Sequence, residues 1–208
     1  MINFNKIKKI FFKFKQKPRF TITKNEVFKN SYYEKKNLII KFSKIKKKDR
    51  DLIKKYLLLS NTKKGKKSFL NWGGGTGVLD FVIKKINPEV ETIIIEKKNL
   101  IKTIKSKPSL FQKYKNKNIA FSSNQSFLLS DSFDMIIFFG SLCYMSEIYD
   151  FFIKSKTKYI AISRLPMAIN SHKDFIAYDS FGNHYENFLS YEKFFKILSQ
   201  NFNFLYFE

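Results

Sequence analysis

The spacing of apolar residues changes character near residue 68. Upstream, Phe4, Ile7, Phe11 and Phe14 recur at helical spacing with Ile10 beside them. Lys6, Lys8, Lys9, Lys13, Lys15 and Lys17 fill the remaining face until Pro18 stops the pattern. Leu52, Ile53, Tyr56, Leu57 and Leu59 make a second apolar helical face within 47–60, and 61–67 is a polar loop. From Ser68 onward short apolar runs alternate with amphipathic ones. Ser68–Trp72 reads as a strand ending in glycines, and Val78–Ile86 as a helix stopped by Asn87 and Pro88. Glu91–Glu96 is continuously β-branched, as a strand buried on both faces should be. Asn99–Ser106 reads as a helix that Pro108 breaks. Ile119–Phe121, Met135–Phe139 and Tyr159–Ile162 are further buried strands, with a helix over Glu147–Lys154 between the last two. Tyr191–Gln200 is a final helix and Asn203–Phe207 a final strand. Strands separated by helices pair in parallel through crossovers, which predicts an α/β fold: a mostly parallel open sheet with helices on both faces. The chain then divides into a basic amphipathic segment (1–19), a helical extension (20–67) and the α/β domain (68–208).

Composition narrows the chemistry. A length of 208 residues, 44% of them hydrophobic, suits one α/β domain with a sizeable core. Cys143 is the single cysteine, which rules out an internal disulfide and fits a reducing cytoplasm. With His172 and His184 the only histidines, no metal centre is expected. The formal net charge of +23 points to anionic partners. Yet only Arg19, Arg50 and Arg164 are arginine, and the planar guanidinium is what base and phosphate recognition favours. The lysines are spread over every segment alongside abundant Phe, Ile and Asn, as an AT-rich coding sequence would produce, so nucleic acid is disfavoured. No stretch approaches the ~20 apolar residues of a membrane span, and the N-terminus does not read as a secretory signal. Residues 1–19, with a Phe/Ile stripe and a lysine face, instead suit peripheral contact with an anionic membrane surface. A helix docked on its own domain, or a frayed lysine-rich tail, fits that pattern equally well.

The informative segment is Asn71-Trp72-Gly73-Gly74-Gly75-Thr76-Gly77, which follows a strand and opens a helix. Open α/β sheets bind ligands at that carboxyl edge. Glycines there adopt φ > 0 and let a ligand approach the backbone, and helix-start N–H groups attract a carboxylate or phosphate. The dinucleotide fingerprint requires a third glycine three positions after the second; Val78 or Asp80 stands there instead. A P-loop would close with Gly-Lys-Ser/Thr, which is also missing. What remains is G-x-G-x-G, the spacing of class I methyltransferases. Glu96, at the end of the next strand, can accept both hydroxyls of a ribose, as an acidic residue does in dinucleotide folds.

The ordered set FLNWGGGTG, TIIIEKKNL, FDMIIFFGSLCYM and KYIAISRLPM resembles a family of methyltransferases associated with genes for lipopolysaccharide and other surface-polysaccharide assembly. The resemblance covers roughly residues 30–208. It implies the Rossmann-like class I methyltransferase fold and S-adenosylmethionine as cofactor. By the same resemblance Gly73, Gly75 and Gly77 line the methionine end, Glu96 holds the ribose, Ser122 and Ser123 lie near the adenine, and Gly140, Ser141 and Leu142 flank the sulfonium. It also implies a small-molecule or glycan-precursor acceptor, met at the cytoplasmic membrane surface. Two other readings stay open: an RNA methyltransferase, favoured by charge alone, and a catalytically decayed Rossmann-like binding protein.

Three departures from the family pattern bear on activity. Asn71 stands where aspartate is usual, facing the cofactor's ammonium; it keeps an acceptor but loses the charge, an effect of about 1 kcal/mol. Ser163 replaces the acidic residue before Arg164. The antiparallel seventh strand of the fold is expected to be missing after Glu208. Acceptor-side candidates fall between the fifth strand and the last helix, read as a long irregular lid: Arg164, His172, Asp174, Tyr178, Asp179, His184, Tyr185 and Glu186. Arg164 is suited to clamp an anionic acceptor, and His172 or His184 to take its proton. Cys143 and Tyr144 read as packing residues.

Overall fold

Side chains such as Ile94 and Ile95 lie on opposite faces of a strand, so burying both requires cover on each side of the sheet. The computed structural model supplies it; residues 20–23, 50–57 apart from 52 and 56, 67–130, 132–179 and 184–203 are described. Strand β1 (Phe20–Thr23) belongs to a separate small sheet. The central sheet comprises β2 (Ser68–Trp72), β3 (Glu91–Ile95), β4 (Ile119–Ser122), β5 (Met135–Phe139) and β6 (Tyr159–Ser163). These run in the order β4-β3-β2-β5-β6 and every pairing is parallel. Strand order reverses between β2 and β5, and a crevice at such a switch point is where open α/β sheets take ligands.

Helices α1 (Val78–Ile86), α2 (Lys98–Lys105), α3 (Pro108–Lys115), α4 (Ile148–Lys154) and α5 (Tyr191–Asn201) supply the crossovers and cover. On one face Leu79 and Ile83 of α1 meet Phe69, Met135 and Ile137, joined by Ile53 and Leu57 from helical residues of the N-terminal extension. On the other, Phe151 and Phe152 of α4 and Phe194 and Leu198 of α5 close over Ile136 and Phe138. A third cluster, Ile94, Leu100, Ile104, Tyr114 and Ile119, seals the β3–β4 edge.

The strands and helices expected between Ser68 and Ser163 fall where their apolar periodicity places them, to within one residue, and α3 is an added helix that the periodicity did not announce. Pro108 does not merely end a helix. It occupies the first turn of α3, where its missing N–H has no partner to lose. The stretch after β6 differs more from expectation. In place of an irregular lid, β8 (Phe175–Asp179) and β9 (His184–Ser190) form an antiparallel pair with Phe175 opposite Phe188 and Ala177 opposite Glu186. Strand β1 pairs with β8 and the two-residue β7 (Met167–Ala168) with β9, making a second sheet in the order β1-β8-β9-β7. The alternating aromatic and β-branched residues of FIAYD and HYENFLS, separated by Ser180-Phe181-Gly182-Asn183, carry the hairpin pattern. The stretch 20–67 thus contributes a strand as well as helical residues. Segment 1–19 and most of the proposed strand Asn203–Phe207 lie outside the described residues. No helix among the described residues is long and apolar enough to cross a membrane.

Phe152 ties α4 to α5: it is 1% exposed, with its ring 5.1 Å from Phe151, 5.5 Å from Phe194 and 6.2 Å from Phe202. Phe152→Ala is expected to cost about 3–5 kcal/mol, read as a lower denaturant midpoint.

Candidate functional site

The turn from β2 into α1 takes left-handed backbone at Gly73 (φ +66°), Gly75 (+59°) and Gly77 (+70°). A Cβ on Gly73 would lie 2.6 Å from Ser141 Cβ, and one on Gly77 2.6 Å from Ile94 Cδ1. A Cβ on Gly75 would meet nothing within 4 Å. The outer glycines are therefore demanded by packing and backbone together, whereas Gly75 borders open space.

Glu96 closes the loop from beneath. The Gly75 N–H donates to Glu96 Oε1 at 2.7 Å, and the Lys97 N–H to Oε2 at 3.0 Å. The residue is 5% exposed. Burial pushes its carboxyl above the usual glutamate value, and the donors at Lys97 and Gly75 pull part of the way back. The Glu96 N–H donates to the Ser122 carbonyl at 2.9 Å, so Ser122 at the end of β4 sits beside Glu96 as the motif order requires. On the other side Ser141 Oγ donates to the Trp72 carbonyl at 2.5 Å. Gly140 has φ +72° and donates from its N–H to the Ser163 carbonyl. Asn71, Gly73, Gly75, Gly77, Glu96, Ser122, Gly140 and Ser141 thus lie together at the carboxyl edge of the central sheet, around the switch point.

Arg164 joins them from β6. It has φ +58°, an uncommon conformation for a residue with a Cβ, and its guanidinium lies 4.6 Å from the Phe139 ring centroid. The histidines are placed differently. His172 is exposed, with Nδ1 2.6 Å from Glu192 Oε2 at the start of α5. His184 opens β9 opposite Asp179. Among the described residues no group of three or more His, Cys, Asp or Glu is arranged to hold a metal ion.

Several participants were not legible as such. Tyr114 of α3 donates its hydroxyl to the Thr76 carbonyl at 2.5 Å, pinning the glycine loop from the far side. Trp72 donates from Nε1 to Gln125 Oε1 at 2.6 Å. Tyr144 is more than packing: its hydroxyl donates to Glu186 Oε1 at 3.1 Å. The next residue of β9, Asn187, donates from Nδ2 to the Met145 carbonyl, so the second sheet is fastened to the turn that follows β5. Burial, with Cys143 and Glu186 nearby, pushes the Tyr144 phenol far up, so it stays a neutral donor. Burial, with Glu186, also pushes the Cys143 thiol up to about 12, which removes it as a nucleophile.

Asp80 has no counterpart in the motif reading. It is fully buried in the first turn of α1 and accepts a 2.7 Å bond from Asn71 Nδ2. Burial pushes its carboxyl up to about 7, against the lowering effect of Asn71, its own backbone N–H and Thr92. The dipole at a helix start offers only ~0.3–1 kcal/mol to an acid, less than this burial costs.

No family model matches the sequence, and no curated protein matches it. Solved structures do. The N-terminal domain of EvdMO1, crystallised in the presence of SAH and D-fucose, aligns over 76% of this chain and 74% of its own, with 12% identity and a TM-score of 0.53. The PH0226 protein from Pyrococcus horikoshii OT3 aligns over 82% of this chain and 88% of its own, with 13% identity and a TM-score of 0.53. The fold is the Rossmann-like class I methyltransferase fold. Of three other matching structures the chain spans about half: 55%, 47% and 44% of their lengths.

Because Asp80 holds its proton more tightly folded than unfolded, the native state binds more protons between the unfolded value near 4 and the folded value of about 7. Stability should therefore fall as pH rises through that window and level off above it, by at most ~4 kcal/mol. In Asp80→Asn this component of the slope is expected to vanish, as shown by denaturant midpoints measured across the window.

Proposed function

We propose that this chain is an S-adenosylmethionine-dependent methyltransferase whose acceptor is a small molecule of the sugar or glycan-precursor class. The observation that carries the reading is the open face of Gly75 beside the buried carboxylate of Glu96. A carboxylate offers about four lone-pair sites, and backbone N–H groups take two here, leaving two for the vicinal hydroxyls of a ribose. The unfilled space at Gly75, which any side chain would enter, suits the cofactor's methionine end. Both features fit the cofactor.

When bound, the cofactor supplies a methyl group on a sulfonium: the acceptor's lone pair forms the new bond as the carbon–sulfur pair leaves to sulfur. The chain's part is then orientation and proton handling. Gly140 and Ser141 border the crevice from β5. Arg164, with its backbone turned left-handed at the end of β6, is the residue we assign to an anionic acceptor. His172 and His184 are the assigned candidates for taking the acceptor's proton, each from the stretch between β6 and α5. The sugar class rests on the surface-polysaccharide motif resemblance, with the EvdMO1 domain crystallised with D-fucose as a structural parallel. The lysine-rich segment 1–19 would bring the enzyme to an anionic membrane surface on the cytoplasmic side, ahead of an extension (20–67) and the catalytic domain (68–208).

Calorimetric titration of S-adenosylmethionine tests this reading. Micromolar binding by the wild-type chain is expected. Gly75→Arg should abolish it by filling the open space. Glu96→Gln, which keeps an oxygen for the Gly75 N–H, should weaken it at least ~10-fold, since hydrogen bonds to a charged acceptor contribute about 1.5–3 kcal/mol. A folded wild-type protein that does not bind would sink the enzyme reading.

A further inference from the structure

We propose that Asp80 is a positioning residue for the amino-acid end of the cofactor, acting through the side-chain amide of Asn71 beneath the glycine loop. The inference rests on the cofactor reading above and goes beyond it, since no motif places a role at position 80.

Asn71 lies directly under the loop: a Cβ on Gly74 would come within 2.5 Å of Asn71 Nδ2. That nitrogen is committed to Asp80 Oδ2. With Nδ2 donating to that oxygen, the amide's own acceptor is Oδ1. The amide oxygen Oδ1 is left as the acceptor of the pair, and it has no partner in the structure. Asp80 Oδ1 and Thr92 Oγ1 are likewise buried without a close hydrogen bond, the Thr92 hydroxyl being the neighbouring donor that favours the Asp80 anion. Buried oxygens so poorly satisfied, side by side, depart from the ordinary satisfaction of buried polar atoms. Beyond the Thr92 hydroxyl, what such a cluster lacks is further donors and positive charge. The amino-acid end of S-adenosylmethionine carries an ammonium, which supplies both, directly or through a bridging water.

The groups around Asp80 fit this role. From β2 it meets Asn71, from β3 Thr92, and from α3 the Tyr114 phenol, whose titration it pushes up. Lys84, one turn along its own helix, sends its ammonium to the carbonyls of Pro88 and Val90. Once ionised, the acid at position 80 places negative potential under a loop that has asparagine at its base. By reciprocity, a cofactor that favours the Asp80 anion must displace the proton this residue holds.

The test is titration of S-adenosylmethionine into wild type, Asp80→Asn and the exchanged double variant Asn71→Asp/Asp80→Asn, each also followed by thermal melting. Asp80→Asn is expected to bind about 10-fold more weakly while melting no lower than wild type. The exchanged variant, which returns the carboxylate to the loop's base, should recover to within about 3-fold. Near pH 6, in buffers of different ionisation enthalpy, wild type should release a fraction of a proton on binding that Asp80→Asn does not. Asp80→Asn binding like wild type, with the same proton release, overturns the proposal and leaves the cofactor reading intact. A fall in affinity and melting temperature together, unrepaired in the exchanged variant, assigns Asp80 a structural role and also overturns it. No binding by wild type removes both readings.

Discussion

The crevice depends on one hydrogen bond, from the backbone of Gly75 to the carboxylate of Glu96. It joins the turn after β2 to the residue that follows β3, and it can form only because the register sets Trp72 beside Ile95. That register is in turn held by Phe69, Leu70, Ile94 and Ile95, each at most 1% exposed. A slip of the pairing would turn these side chains to the wrong faces. The core thus determines where the carboxylate stands, the carboxylate holds the loop, and the loop leaves Gly75 facing open space. Left-handed backbone at three of five consecutive positions is tolerable only because glycine lacks the Cβ that would collide there.

The central sheet was readable because its inner strands β2, β3 and β5 are largely buried on both faces and separated by amphipathic helices. Ile94 and Met135 could hardly belong elsewhere. Glu96 and the glycines were readable for another reason: they pair a strand end with a helix start, a local signal. The second sheet was missed as a unit because its strands are drawn from stretches far apart in the chain. Nothing local in Phe20–Thr23 names Asp179 as the partner of Phe20. Asp80 escaped because an acid in the first turn of a helix is ordinary on a surface; only the packing of β2 and β3 against α1 shows it to be fully buried. The Tyr144–Glu186 contact joins residues 42 apart in sequence, and so required the second sheet to be seen first.

Two acids in this protein are held in contrasting ways. Asp174 illustrates the arrangement away from the crevice. Burial opposes its ionisation, but Lys193, the Ser190 N–H and the Tyr149 hydroxyl outweigh it and hold the carboxyl below the usual aspartate value. A charged, well-satisfied acid fastens α5 to α4. Asp80, fully buried and with one close side-chain hydrogen bond, from Asn71, contrasts with it in both burial and partners.

Strand β1 has a temporal consequence. Its partner β8 is encoded near the other end of the chain, with the whole central sheet between them. During synthesis at about 5–20 residues per second, β1 leaves the ribosome on the order of ten seconds before β8 exists. The central sheet, whose neighbours are mostly close in sequence, can form in that interval. The small sheet must then capture a strand that has waited unpaired, closing a loop as long as most of the protein. Addition of β1 to the β8–β9 hairpin is therefore expected to be the slow, late event.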